Sequence, residues 1–287
     1  MSSPERFVLI TGCGKGGIGE ALAIEYAAVG VHPIATVLPQ ESGDHLTDAR
    51  ISWLRLDVTS EESIAQLKKQ VSKLTHDRLD VLVNNAGICY TMPAVDTDVA
   101  AVQKMFDVNL FGPMRMIFHF HDLLISSRAT IVNIGSVGGI VPYVYGSSYN
   151  ASKAALHHWG NTLRVEMAPF GVKVMTVISG EIGTNILRND ADRRLPEGSY
   201  FTPLSSEFKA HVQRVPDTTN RFQYAKKIVS QSLKPSPLSW YWYGKTTGIV
   251  RFFDIFGPRT VWDLIFWFVF SFGKLRDASR SALKLKK

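Results

Sequence analysis

Cysteine is scarce: the 287-residue chain has two, Cys13 and Cys89, in different segments and outside any metal-ligand cluster. No metal is expected, and a reducing compartment is the simple reading. No basic and apolar leader precedes the first strand-like segment, Phe7 to Ile10. The apolar stretch Val261–Phe272 is too short to span a bilayer, which takes about 20 such residues. A basic face on the body is also wanting. The net charge is +7, but residues 274–287 alone hold four Lys and two Arg against one Asp. Nucleic acid is therefore not an expected partner. No internal repeat or low-complexity tract occurs.

What is present is a rhythm. Hydrophobic residues make up 45% of the chain, an ordinary share for a sizeable core. Short apolar runs at Phe7–Thr11, Pro33–Leu38, Ile51–Leu56, Asp80–Asn84, Ala129–Gly135 and Val172–Ile178 read as strands. Between them, Ile18–Val29, Glu61–Leu74, Val99–Ser126 and Ser148–Met167 read as helices, the second capped by Ser60 or Thr59 and the third bent near Pro113. This alternation predicts right-handed βαβ units on a parallel sheet. Residues 186–216 break the rhythm and are expected to form a lid. Asp217–Leu233 then reads as a helix and Leu238–Tyr243 as a last strand. The expected division is a cofactor-binding and catalytic domain over 1–245 and an aromatic, basic extension over 246–287.

Between the first strand and first helix runs Thr11-Gly12-Cys13-Gly14-Lys15-Gly16-Gly17-Ile18-Gly19. Glycines permit a tight turn and a close approach to a pyrophosphate, and the helix start offers free N–H groups and a positive dipole end. Gly12, Lys15, Gly17, Ile18 and Gly19 are thus candidate nucleotide contacts. The second strand ends Val37-Leu38-Pro39 without the carboxylate that would bind a ribose 2′-hydroxyl, and Lys15 offers a cation to a phosphate. Both favour NADPH over NADH. Leu38 and Pro39 themselves supply no phosphate-binding cation, and Lys15 read alone is a solvated loop lysine. Asp57, followed by Val58, either meets the adenine or caps the next helix.

Three further segments carry chemistry. Asn84-Asn85-Ala86-Gly87 follows the fourth strand, Asn133-Ile134-Gly135-Ser136 ends the fifth, and Tyr149-Asn150-Ala151-Ser152-Lys153 opens the next long helix. Strand ends on one sheet edge converge on a ligand crevice. Tyr149 and Lys153 are four apart and share a helix face. An ammonium near a phenol is expected to lower the phenol's pKa, and the phenol can then give its proton to a nascent alkoxide, with the Ser136 hydroxyl bonding that oxygen. Singly, each of these residues has an ordinary structural reading, as does Asn109 inside its helix; the joint order is what points to a site.

That order resembles the short-chain dehydrogenase/reductase family over about residues 5–185. The resemblance implies a Rossmann-type, doubly wound parallel sheet of about seven strands in a three-layer α/β/α sandwich. It implies Tyr149 as acid/base, Lys153 on the nicotinamide ribose, Ser136 orienting the carbonyl and Asn109 holding a relay water. Asn85, Ala86, Gly87, Val58, Ile182 and Thr184 would line the cofactor. The glycine loop is one residue longer than the family's usual Thr-Gly-x-x-x-Gly-x-Gly, and so looks like fungal 1-acyl-dihydroxyacetone-phosphate reductase-like members. Ser179 stands where the family usually has proline, which predicts a less rigid nicotinamide loop.

The expected activity is NADPH-dependent reduction of a bulky, apolar ketone to a secondary alcohol. Lipid synthesis, with an acyl-dihydroxyacetone phosphate as substrate, and specialised metabolism, with a polyketide, terpenoid or steroid-like ketone, are both open. A phosphate-bearing substrate would use Arg188, Arg193, Arg194 or Lys209 near the lid. The rivals are an isomerase or cyclase using the same site, and a non-catalytic nucleotide-binding scaffold. A homo-oligomer, dimer or tetramer, is expected. The stretch 259–287 either anchors on a membrane surface or lipid droplet from the cytoplasmic side, or covers the pocket or a subunit interface of a soluble protein.

Overall fold

A computed structural model describes residues 5–186 and 188–285, apart from the side chains of Asn189, Ala282, Leu283 and Leu285. Seven strands form one parallel sheet: β1 (Phe7–Ile10), β2 (His32–Val37), β3 (Ser52–Arg55), β4 (Val81–Asn84), β5 (Thr130–Ile134), β6 (Lys173–Ser179) and β7 (Trp240–Tyr243), in the order β3-β2-β1-β4-β5-β6-β7. The central strands are buried on both faces and so read as unbroken apolar runs. Period-two alternation then divides them. Val8, Ile10, Val81 and Val83 face one layer, where Leu22, Tyr26, Tyr224 and Ile228 pack. Leu9 and Leu82 face the other, with Ile64, Leu67, Phe120 and Leu163. The doubly wound three-layer fold expected from the sequence is thus present.

The first layer is built from α1 (Ile18–Ala28) and the helix Arg221–Ser232; α2 is the short Asp44–Asp48. On the other side lie α3 (Glu61–Thr75), α4 (Val99–Phe106), α5 (Gly112–Ser126) and α6 (Ser147–Met167). The Ser60 side chain accepts the Ser63 N–H and starts α3, whose Ile64, Leu67 and Val71 recur at helical spacing and are buried. The long helix over 99–126 deviates before Pro113, not at it. One π-helical turn, Asp107–Phe111, joins α4 to α5, while Pro113 sits in the first turn of α5, where its missing N–H does no harm. The helix expected from Asp217 begins only at Arg221 as α8 (Arg221–Ser232), because the Thr219 N–H donates to the Glu181 carbonyl and Asn220 caps the helix. The lid stretch holds α7 (Ser205–Val212) and short 3-10 turns at Arg188–Asp190 and Thr202–Leu204.

Beyond β7 the chain forms α9 (Thr247–Phe256), α10 (Val261–Val269) and α11 (Phe272–Leu285). Phe266 and Phe270 are buried with Tyr90, Tyr145 and Phe208 in a third apolar cluster. The Tyr145 and Phe270 rings meet edge to face, 5.5 Å between centroids. The extension therefore packs onto the sheet's C-terminal edge and the lid.

Candidate active site

Strand order reverses between β1 and β4, and the crevice at that switch point is where open parallel sheets bind ligands. The glycine loop enters it from β1. Gly12 (φ +71°) and Gly16 (φ +81°) hold left-handed backbone, and a Cβ on Gly19 would stand 2.5 Å from the Gly12 carbonyl oxygen. Asn85 ties this loop to the end of β4, its Nδ2 donating to the Thr11 and Gly12 carbonyls at 2.8 and 2.9 Å. The Thr11 hydroxyl accepts the N–H groups of Asn85 and Ala86. Glu20, on the first turn of α1, accepts the Gly16 N–H and pairs with Arg221. No side chain caps α1, which starts after Gly17, so its N–H groups face the crevice. An uncapped helix start beneath a glycine-rich loop fits a pyrophosphate.

Other expected contacts fall differently. Lys15 is exposed above the loop. Ile18 packs into the core beneath it. Asp57 uses Oδ1 to accept the N–H and hydroxyl of Thr59, in the turn just before Ser60 caps α3. The Val58 side chain is buried where a Cβ on Gly112 would meet it at 2.9 Å. Glu41, which the sequence reading passed over, stands 3.6 Å from where a Gly14 Cβ would lie and accepts the Leu38 N–H. A carboxylate thus lies beside the loop after all, delivered by the turn past β2 instead of the strand end.

The chemical groups converge on the other side of the crevice. Ser136 accepts the Gly138 N–H at 3.0 Å, and its side chain lines the same cavity as the Tyr149 phenol. The Lys153 Nζ donates to the Ile134 carbonyl at 3.0 Å and stands 5.8 Å from the Tyr149 ring centroid. A Cβ on Gly87 would come 3.5 Å from that Nζ and 3.3 Å from the Asn109 Oδ1, so the glycine keeps the approach open. Asn109 sits in the π-turn. Its Nδ2 donates to the Ile88 carbonyl and the Ser152 hydroxyl, and its Oδ1 accepts the Ile88 N–H. Both amide protons are spent, so a relay water at Asn109 must donate to its Oδ1 or its backbone carbonyl.

Electrostatics depart from the sequence expectation. Burial pushes the Tyr149 phenol up to about 12, against a smaller lowering from the Ser136 hydroxyl. Burial also pulls the Lys153 ammonium down to about 8. Desolvation therefore outweighs the phenol–ammonium attraction in the ligand-free protein.

One residue was missed. His157 lies four residues beyond Lys153 on the same face of α6, and its Nε2 accepts the Ser136 N–H at 3.2 Å. Burial, then the charge of Lys153, pulls it down to about 3, so it stays neutral and can accept. A Cβ on Gly135 or Gly139 would strike its ring at 2.3 or 2.5 Å. The spacing 149, 153, 157 was the signal. At the end of β6, the Ser179 hydroxyl bonds the Tyr224 hydroxyl at 2.7 Å. Ile182 then pairs with Thr219, and Thr184 follows, half-buried.

Ser136 and Tyr149 open into a cavity of about 320 Å³ whose walls include Tyr143, Val144, Ile182, Trp262 and Phe266. Among the described residues, Arg214 is the one Lys or Arg lining it, with Glu181 the carboxylate. Arg188, Arg193, Arg194 and Lys209 do not line it, and Arg193 pairs with Asp190 and lies 4.4 Å over the Tyr90 ring.

The family model for short chain dehydrogenase matches residues 6–194. The short-chain dehydrogenase virD of Hypocrea virens is 63% identical over 99% of both chains. The NADPH-dependent 1-acyldihydroxyacetone phosphate reductase of Schizosaccharomyces pombe is 43% identical over 69% of both. A short-chain dehydrogenase structure from Streptomyces avermitilis superposes with a TM-score of 0.74 at 26% identity, covering 95% of this chain and 99% of its own. The chain belongs to the short-chain dehydrogenase family.

Proposed function

We propose that the protein reduces a bulky, apolar ketone to a secondary alcohol with NADPH. The observation carrying this reading is that Ser136 and Tyr149 line one apolar cavity, with the buried Lys153 ammonium 5.8 Å from the Tyr149 ring centroid. The cofactor, when bound, supplies the hydride. Gly12, Gly17 and Gly19 would admit its pyrophosphate, and Lys153, Asn85, Ala86, Gly87, Ile182 and Thr184 would border the rest. Lys15 would meet a 2′-phosphate, for which the Glu41 carboxylate beside Gly14 would have to swing aside.

Ser136, held by the His157 contact to its N–H, would direct its hydroxyl at the carbonyl oxygen. Tyr149, protonated throughout the neutral range, would donate its proton to that oxygen as negative charge develops. The Lys153 ammonium would stabilise the phenolate left behind, and Asn109 would hold the water that returns a proton. Phe111, at the end of the π-turn, and Phe118, on α5, leave apolar rings in water, which supports a homo-oligomer, dimer or tetramer.

The cavity lining favours a neutral substrate over a phosphate ester. A phosphomonoester brings close to two negative charges, and one arginine faced by the Glu181 carboxylate would compensate them poorly. The test is NADPH oxidation, followed optically, against neutral polycyclic and long-chain ketones and acyl-glycerone phosphates. The neutral ketones should give kcat/KM at least about tenfold higher, as expected for about 1.4 kcal/mol of uncompensated charge. Preference for the phosphate esters would overturn the neutral-substrate reading.

A further inference from the structure

The helices of the C-terminal extension carry two unlike faces. Inward, Val250, Trp262 and Phe266 line the substrate cavity. Outward, Ile249, Phe252 and Phe256 on α9 and Leu264 and Phe268 on α10 are 56%, 56%, 75%, 66% and 73% exposed. Their spacing of three or four residues aligns them as one stripe on each helix. Single exposed apolar residues are ordinary; two adjoining stripes rich in Phe mark an interaction surface.

The charges around these stripes select the partner. Residues 246–287 contain eight Lys and Arg against three Asp. Arg251 and Arg259 are exposed and make no ion pair among the described residues. A second copy would bring the same basic surface and be repelled, whereas anionic headgroups would be attracted. At 10 and 9 residues, α9 and α10 are too short to cross a bilayer. Short helices with an aromatic face and basic flanks lie in the interface plane instead.

We propose that α9 and α10 dock flat on an anionic lipid surface and that the cavity takes its apolar substrate from that surface. Ile249 belongs to both the exposed stripe and the cavity lining, so the mouth opens at the docking face. The entry route rests on the ketone-reductase reading; the docking does not.

The test is sedimentation of the full-length protein with phosphatidylcholine vesicles, with and without phosphatidylserine. The phosphatidylserine vesicles should bind at least about tenfold more protein, less so at high salt. The triple variant Phe252→Glu, Phe256→Glu, Phe268→Glu should stay in the supernatant while reducing a water-soluble ketone as the parent does. Arg251→Glu with Arg259→Glu should lose the lipid preference without touching the apolar stripes. Equal recovery of parent and both variants would overturn the proposal. So would light scattering that shows a dimer dissolved by the Phe substitutions and no vesicle binding. Vesicle binding without ketone reduction would leave the docking standing and remove the entry route.

Discussion

Tyr149→Phe should lower kcat about a hundred- to ten-thousand-fold while leaving NADPH binding nearly unchanged. The phenol is the acid within the crevice that can reach a carbonyl oxygen held by Ser136, and loss of a positioned general acid has effects of that size. The substitution removes one hydroxyl and leaves the ring, so the fold should lose no more than about 1 kcal/mol, the worth of one hydrogen bond. Steady-state kinetics beside fluorescence titration with NADPH would separate the two effects. Equal loss of turnover and cofactor affinity would instead make Tyr149 a binding residue.

Lys153→Met should stabilise the cofactor-free protein while disabling it. Burial pulls the ammonium from its usual 10.5 to about 8 in the folded state. Below about pH 8 folded and unfolded chains both hold the proton, and burying the charge costs the fold on the order of 3 kcal/mol. Between about 8 and 10.5 only the unfolded chain holds it, so stability climbs with pH through that window. Methionine removes the penalty but leaves the Ile134 carbonyl without its donor, a loss of about 1 kcal/mol. At pH 7 the variant should be about 2 kcal/mol more stable, with the difference shrinking toward pH 10, and kcat should fall at least about a hundredfold. In the parent, reduction should weaken above about pH 8 as Lys153 loses its proton. Melting curves across pH for both proteins test the first half; a variant less stable than the parent at pH 7 would contradict it.

Much of this was legible in the chain. Short apolar runs and period-3.6 patterns gave the strands and helices because each central strand and each flanking helix buries its apolar residues locally. The order of Gly12–Gly19, Asn85, Ser136, Tyr149 and Lys153 was enough to gather the crevice, since parallel strands deliver their ends to one edge. What was not legible depends on distance in space. Glu41 reaches the glycine loop by a turn that carries no strand signal. His157 supports Ser136 through packing against Gly135 and Gly139 that only the folded chain reveals. The sign of the Tyr149 shift follows from burial, which spacing between two residues does not report. The aromatic extension offered covering and anchoring as alternatives, yet its helices present an inner face to the cavity and an outer one to solvent.

The most direct measurement uses NADPH carrying deuterium at its transferable nicotinamide position, incubated with the best ketone and the purified protein. The account predicts one deuterium on the carbinol carbon of each alcohol formed, in step with NADPH consumed, and none formed by Tyr149→Phe. Product that arises without the label, or without loss of NADPH, would contradict it and turn the same crevice to isomerisation or cyclisation.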